Sequence, residues 1–243
     1  MIFLDINKLT NLQIYNLQKI KCIILDATDF NYIIDEWDSF FDIMDKNMIN
    51  FYIYTNNSSI GKNSIIQSLK NKGIFCPKSN LITISEIATE FLISHFSDSK
   101  INILGTDDFI SDFSYFNLNI CTEKSNLVLI SDDTSLNFKK LKTACNNIKN
   151  GAAFYGTNKE TVSYYNGFSP ACGSICSLIE ISTEIFPKFI GLPSDIGFNF
   201  IIEKTGYSED EICFISNNSN FFNIKCSNSF LINNNEKIGF KSI

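Results

Sequence analysis

An aspartate and a polar turn follow two apolar runs of the chain, where they are placed to handle a phosphate group. Asp26 comes directly after the run Cys22–Leu25, and a Thr-Asn-Asn-Ser-Ser turn at 55–59 comes after the run Ile49–Tyr54. A carboxylate can act as a nucleophile, and backbone N–H groups at a helix start attract anions. These two segments therefore predict a site for an anionic ligand.

Two later segments add to this pattern. Gly191-Leu192-Pro193-Ser194 precedes a predicted helix, and Ser216-Asn217-Asn218 follows a late apolar run. Each segment has an ordinary alternative, since an aspartate follows an apolar strand by chance in many proteins and a Thr-Asn-Asn-Ser turn also serves as a helix cap. The order of the four segments along the chain is the informative feature.

Apolar runs that predict strands alternate with amphipathic stretches that predict helices. The predicted strands are Cys22–Leu25, Ile49–Tyr54, Ile101–Leu104, Leu127–Ser131, Ala152–Gly156, Lys188–Ile190, Ile212–Ile215 and Phe230–Ile232. The predicted helices are one through Ile65–Leu69 ending at Gly73, then Asp107–Phe116, Ser135–Asn150, one ending near Ile185, Asp195–Lys204 and a short one near Asn220–Cys226. This alternation predicts an α/β protein with a doubly wound parallel sheet.

The middle third of the chain has a β-α-β-α-β order of its own, and the strands are too numerous for one comfortable sheet. The sequence therefore predicts two domains. The core domain would comprise 1–78 and 186–243, and a smaller α/β domain, 79–185, would be inserted into it.

The order of these segments resembles the haloacid dehalogenase superfamily, in its NagD-like and p-nitrophenyl phosphatase-like class with an inserted α/β cap. The resemblance covers nearly the whole chain and is most specific between Gly151 and Ser194. It includes Gly105, the stretch from Gly151 to Asn158, the turn Pro170-Ala171-Cys172-Gly173, and Gly191-x-Pro193-Ser194. It implies a Rossmann-like core that carries the cap.

The first motif of such phosphatases reads Asp-x-Asp-Gly, in which the first Asp attacks phosphorus and the second exchanges protons. The resemblance assigns the nucleophile to Asp26 and places Thr28 at the acid/base position. A threonine hydroxyl cannot take up and return a proton near neutral pH. Asp29 stands one residue later, and whether a shifted loop lets it compensate is left open.

The third and fourth motifs lack the expected charges. Leu192 occupies the position of the Gly-Lys-Pro lysine, and Lys188 on the preceding strand is the nearest replacement. The fourth motif usually supplies aspartates for Mg²⁺, but 216–223 contain no carboxylate. Asp26 and the Asn217 carbonyl would then be the remaining metal ligands, and Mg²⁺ prefers anionic oxygen. The sequence therefore predicts a weak or lost metal site.

The second motif is the best preserved. The resemblance assigns phosphate binding to the Thr55 hydroxyl and the N–H groups of Asn56 and Asn57, whose alternative role is to cap the following helix. In the cap, Asn158-Lys159-Glu160 is similar to the Asn-Pro-Asp loop that approaches substrate, with Asn158 and Glu160 as its polar members.

These residues are compatible with three functions. The favoured hypothesis is a pseudophosphatase that binds a small phosphorylated ligand or a protein partner, without a cofactor. The second is a weak Mg²⁺-dependent phosphomonoesterase that uses Asp26, with a sugar phosphate, phosphoglycolate or p-nitrophenyl phosphate type of substrate. The third is an unrelated nucleotide or cofactor binder. The sequence argues against it, because it contains no Gly-x-Gly-x-x-Gly or P-loop motif.

Composition limits the partners and the compartment. The formal charge of −6 argues against nucleic acid as a partner, and no run approaches the roughly 20 apolar residues that span a bilayer. We therefore expect a cytoplasmic protein without membrane contact, and the resemblance adds a homodimer through the cap. His95, the only histidine, and the pair Cys172 and Cys176 are expected to be structural.

Overall fold

The computed structural model describes residues 19–28, 44–46, 48–165, 167–216 and 229–231. The strands are β1 Cys22–Asp26, β2 Asn50–Thr55, β3 Leu81–Thr83, β4 Lys100–Leu104, β5 Asn119–Ile120, β6 Leu127–Ile130, β7 Ala153–Gly156, β8 Val162–Ser163, β9 Ser169–Pro170, β10 Lys188–Phe189, β11 Ile212–Ser216 and β12 Ser229–Leu231. The α-helices are α1 Lys62–Asn71, α2 Ile84–Phe96, α3 Asp107–Ser111, α4 Phe138–Lys149, α5 Cys172–Thr183 and α6 Asp195–Thr205. Short 3₁₀ turns lie at Lys78–Asn80 and Asp112–Tyr115.

Strand β1 lies at the point where the first sheet reverses its winding. The strand order is β12-β11-β1-β2-β3, so the chain moves outward from β1 to β3 and later returns to the other side of β1. β1 pairs in parallel with both β2 and β11, and all five of its residues are buried. Open α/β sheets bind ligands beyond the carboxyl end of a strand in this position, and Asp26 is the last residue of β1.

The second sheet has the order β10-β7-β6-β4-β5, and every neighbouring pair in it is parallel. Helices α4 and α5 cover its strands with a continuous apolar core. The buried members of this core are Leu104, Val128, Ile130, Ala144, Ile148, Ala152, Phe154, Cys172, Ile175, Cys176 and Ile179. Parallel sheets with flanking helices confirm the α/β fold class that the sequence predicts.

Side-chain caps fix the helix starts. The Thr83 hydroxyl accepts the Glu86 N–H, and the Glu86 carboxylate accepts the Thr83 N–H, which closes a capping box at α2. The Ser194 hydroxyl accepts the Gly197 N–H at 3.1 Å, which confirms the predicted cap of α6. Gly206, at φ +72°, ends that helix as the sequence predicts, because a left-handed backbone costs glycine little.

Several predicted elements differ in length or were missed. The predicted helix Asp107–Phe116 is an α-helix only to Ser111 and continues as a 3₁₀ turn, and α4 begins at Phe138 because Asn137 caps it. The sequence analysis missed β3, β5 and the antiparallel pair β8 and β9, which are only two or three residues long. The predicted short helix near 220–226 lies outside the described residues.

The chain packs into two compact units. The first comprises 1–55, 69–82 and 198–243, and the second comprises 56–68 and 83–197. Compared with the predicted domains, the second unit includes 56–68 and extends from 185 to 197. Strand β10, which the prediction assigned to the core domain, pairs with β7 in the second sheet. The predicted domain bounds stay a prediction.

Candidate active site

In the first unit, hydroxyl groups hold the Asp26 carboxylate from both sides. Asp26 is 1% exposed, and its Oδ1 accepts the Thr28 N–H at 3.0 Å and the Thr28 hydroxyl at 2.5 Å. Its Oδ2 accepts the Ser216 hydroxyl at 2.7 Å. Donors on both oxygens fix the orientation of the carboxylate. Thr28, which the resemblance places at the acid/base position, is therefore a hydrogen-bond donor to Asp26 in this structure.

Three neighbouring parallel strands end at the same edge of the first sheet. Asp26 pairs with Tyr54, so Thr55, the last residue of β2, lies one residue beyond that pair and is fully buried. Ser216 is the last residue of β11, on the other side of β1. The sequence analysis named Ser216 only as part of the carboxylate-free fourth motif. Ser216 ends a strand that lies next to β1, and this position in the sequence could have predicted the contact of its hydroxyl with Asp26.

In the second unit, the Gly191–Ser194 loop is tied to Asn56. Asn56 is fully buried, and its side-chain amide donates to the Leu192 carbonyl at 2.9 Å. The Gly191 N–H donates to the Thr157 carbonyl at 2.7 Å. A Cβ on Gly191 would lie 2.4 Å from Asn56 Oδ1, so glycine is required by this close approach. The third-motif glycine thus has a packing reason that is independent of catalysis.

The Leu192 side chain is apolar and 1% exposed. The peptide bond between Leu192 and Pro193 is cis. Lys188 lies on the exposed part of β10, paired with Tyr155. Whether Lys188 supplies the charge that Leu192 lacks stays open. Asp29 and Asn217 lie outside the described residues.

The Asn158-Lys159-Glu160 segment is also held from within the second unit. Asn158 is 1% exposed and its amide donates to the Asn56 carbonyl at 3.0 Å, while its Oδ1 accepts the Glu160 N–H at 2.9 Å. Glu160 is half-buried. Asn158 therefore connects this segment to Asn56. Asn57 is also buried, and its Oδ1 accepts the Ser59 N–H at the approach to α1.

A buried aspartate that the sequence analysis missed lies in the same unit. Asp132 Oδ1 accepts the Cys172 N–H at 2.6 Å, and its Oδ2 accepts the Ser58 N–H at 3.2 Å. The Ser58 hydroxyl lies 2.9 Å from that of Thr157. Burial raises the pKa of the Asp132 carboxyl, although these N–H donors oppose the shift. Asp132 follows the buried run Leu127–Ile130, the same pattern that singled out Asp26.

The described residues do not form a metal site by themselves. No group of three or more His, Cys, Asp or Glu side chains that could hold a metal ion occurs among them. Asp26 is the carboxylate at the edge of the first sheet, and hydroxyl groups bind both of its oxygens. Mg²⁺ takes oxygen ligands in a near-octahedral shell, so Asp26 would hold it only together with further oxygen ligands.

His95 and the cysteine pair have structural contacts. The His95 ring stacks on Phe91 with centroids 4.9 Å apart, and its Nδ1 lies 3.1 Å from the Phe91 carbonyl oxygen. Cys172 and Cys176 are buried one turn apart on α5, with their sulfur atoms 3.8 Å apart. No helix within the described ranges is both long and apolar enough to cross a bilayer.

Comparison with known proteins points to one family. The family model of the haloacid dehalogenase-like hydrolases matches residues 28–119. The chain is 25% identical to an acid sugar phosphatase of Staphylococcus saprophyticus, over 79% of this chain and 75% of that protein. It is also 25% identical to the 5'-nucleotidase YutF of Bacillus subtilis, over 80% and 77%. The crystal structure of a 4-nitrophenylphosphatase from Thermotoga maritima superposes with a TM-score of 0.76 at 28% identity, covering 83% of this chain and 79% of that one.

The chain is thus similar to the haloacid dehalogenase-like hydrolases in sequence and in fold. Its relatives are the NagD-like and p-nitrophenylphosphatase-like proteins, which confirms the resemblance seen in the sequence. The roles of Asp26, Thr28, Thr55 and Leu192 as site residues stay predictions.

Proposed function

We propose that this protein is a weak, atypical phosphomonoesterase in which Asp26 is the nucleophile. The observation that carries the proposal is the position of Asp26, which is buried at the carboxyl end of β1 with its carboxylate oriented by Thr28 and Ser216. The kinship with phosphatases and a nucleotidase supports hydrolysis of a phosphate monoester. Sugar phosphates, phosphoglycolate and aryl phosphates are the substrate types to test.

The reaction would proceed in two steps. In the first, an Asp26 oxygen forms a bond to phosphorus while the bond from phosphorus to the leaving oxygen breaks, and that oxygen takes the electron pair. In the second, water attacks phosphorus, the bond from phosphorus to the Asp26 oxygen breaks, and inorganic phosphate leaves with the oxygen of that water, one of whose protons passes to solvent. Thr55, together with the N–H groups of Asn56 and Asn57, is proposed to bind the phosphate oxygens.

Because Thr28 stands where the resemblance expects an aspartate, we expect a preference for aryl phosphates over alkyl phosphates. Threonine cannot protonate the leaving oxygen near neutral pH, so an alkyl phosphate must leave as a high-energy alkoxide. A p-nitrophenolate departs without a proton. Since general acid catalysis contributes about 10²- to 10⁴-fold, aryl phosphates should react faster than alkyl phosphates by a factor of that order.

A leaving-group series tests this proposal. The rate constants for substituted phenyl phosphates should fall steeply as the leaving phenol becomes less acidic, and alkyl phosphates should react most slowly. A series measured with and without Mg²⁺ also reports whether the metal contributes. Equal rates across the series would show that a general acid is present and would contradict the assignment at Thr28.

A second candidate function, a pseudophosphatase, is favoured by a separate observation. Leu192 stands where these phosphatases carry lysine, and the segment 216–223 has no carboxylate. A dianionic phosphate beside Asp26 would then meet an unscreened like charge, which costs several kcal/mol at short range. This candidate predicts phosphate binding without turnover. The homodimer through the cap also stays a prediction.

We also propose a cytoplasmic location. Cys172 and Cys176 lie side by side with their sulfur atoms 3.8 Å apart and are not joined in a disulfide, which suits a reducing compartment. Fractionation of the producing cells with antibodies to the chain would test it, and recovery in an oxidising compartment would contradict it.

A further inference from the structure

The second unit contains a cavity beside the third-motif loop, and neither Asp26 nor Thr55 lines it. Its volume is about 460 Å³, within the range of about 300 to 1,000 Å³ that is typical of small-molecule pockets. Gly191 and Pro193 form one wall, and the segment from Phe186 to Phe189 forms another. Leu192, between Gly191 and Pro193, turns its side chain into the protein and does not line the cavity.

Two lysines give the cavity an excess of positive charge. Lys159 and Lys188 line it together with one acid, Glu180. Among the described residues, no carboxylate lies within ion-pair distance of either ammonium group. The Lys159 ammonium lies 5.6 Å from the centre of the Phe189 ring, a cation–π contact that holds it near the apolar wall. Ammonium groups in such positions are donors for a phosphate or carboxylate oxygen.

The cavity also offers an apolar surface. Phe186 is 77% exposed, although burial of a phenylalanine in contact with apolar surface is favourable. Pro187, Phe189 and Pro193 add further apolar surface around it. A ligand that carried charge alone would leave these side chains in water, whereas a ligand with an aromatic or aliphatic body would cover them.

We propose that this cavity binds an organic anion, with its phosphate or carboxylate group between Lys159 and Lys188 and its apolar body against Phe186 and Phe189. The wall formed by Gly191 and Pro193 is already fixed, because the Gly191 N–H and the Leu192 carbonyl are both hydrogen bonded. The site is thus preformed on that side. A bound anion would lie against the loop that carries the third motif.

Titration calorimetry with phenylphosphonate tests this proposal, because its P–C bond is not a phosphate ester and the probe is not consumed. Lys159→Gln and Lys188→Gln should each weaken binding about tenfold, as expected for the loss of one charge-assisted contact. Glu180→Gln should strengthen binding, since it removes the opposing charge. All three side chains lie partly or largely in solvent, so the variants should fold.

A matched control separates this cavity from the predicted phosphate site. Thr55→Val removes a predicted phosphate ligand and should leave phenylphosphonate binding at the cavity intact. If Thr55→Val abolishes binding while both lysine variants bind as the parent does, the proposal is overturned, because the probe then occupies the other site. Absence of any phosphatase activity would contradict the proposed function without affecting this result.

Two further arms test the apolar part of the ligand. Inorganic phosphate should bind more weakly than phenylphosphonate, and Phe186→Ala should remove most of that difference. Equal affinity for the two probes would overturn the assignment of an organic ligand. Affinity should also fall with added salt, because both lysines lie near solvent.

Discussion

At the scale of single residues, the proposed function makes Thr28 the residue that limits the chemistry of Asp26. Its hydroxyl donates to Asp26 Oδ1 and cannot serve as a general acid. We expect Thr28→Asp to raise the hydrolysis rate of alkyl phosphates by about 10²-fold or more, and that of p-nitrophenyl phosphate much less. Steady-state kinetics on both substrates would measure the two ratios.

Thr28→Asn is the matched control, because it has the shape of Asp without a transferable proton. It should not raise the alkyl phosphate rate. Equal gains for the two substrates in Thr28→Asp, or the same gain in Thr28→Asn, would contradict the acid/base assignment at this position.

Asp132 gives a residue-scale prediction about pH. Burial raises the pKa of its carboxyl in the folded state above the ordinary value of 3.8. The folded state therefore favours the protonated carboxyl. Its contribution to the free energy of unfolding is fully present below pH 3.8 and is lost as the pH rises through the folded-state pKa. In Asp132→Asn this dependence is absent. The stability of the variant relative to the parent should therefore increase with pH by about 1.4 kcal/mol per pH unit inside that window.

Urea unfolding at a series of pH values would measure this difference. Asp98→Asn, which removes an exposed carboxylate of the same unit, is the matched control. If the two variants follow the same pH dependence, the buried carboxyl of Asp132 is not the group that titrates.

At the scale of elements, the start of α5 is packed directly against the Asn158–Glu160 segment. The Gly173 N–H donates to the Glu160 carbonyl at 2.7 Å, and a Cβ on Gly173 would lie 2.4 Å from the Lys159 carbonyl oxygen. Gly173→Ala should therefore force backbone to move and destabilise the protein by about 1 to 3 kcal/mol. Thermal unfolding would measure the loss.

Leu178→Ala on the same helix is the control for this prediction. Leu178 is 44% exposed, so its truncation should change stability by no more than about 0.5 kcal/mol. If Gly173→Ala is as stable as the parent, the backbone of the Asn158–Glu160 segment moves away without a loss of stability, which would contradict this prediction.

The sequence predicted the longer elements because their apolar runs were continuous. β1, β2, β4, β6 and β7 agree with the prediction to within about a residue at most ends, as does Asp26 at the end of β1. The β8 and β9 pair was not predicted because a strand of two residues is too short to show an alternation of apolar and polar side chains. The contacts of Asp132 with Ser58 and Cys172 join residues 74 and 40 positions away, and only the folded chain brings them together.

At the scale of the whole molecule, the fold is similar to that of solved phosphatases, while uncharged residues occupy two of the predicted site positions. The scaffold glycines Gly173 and Gly191 are needed for close backbone packing, so they persist for structural reasons. Thr28 and Leu192 instead stand at the positions predicted for an aspartate and a lysine, which only catalysis would require. This contrast explains why the family is recognisable from the sequence although the activity is not.

Hydrolysis of p-nitrophenyl phosphate by the parent protein and by Asp26→Asn tests the central claim most directly. Asp98→Asn, at an exposed aspartate, is the control for loss of one carboxylate. We expect slow turnover by the parent and by Asp98→Asn, and none by a folded Asp26→Asn variant. Turnover that persists in Asp26→Asn, or a parent protein that binds phosphate but never hydrolyses the ester, would contradict a phosphomonoesterase that uses Asp26.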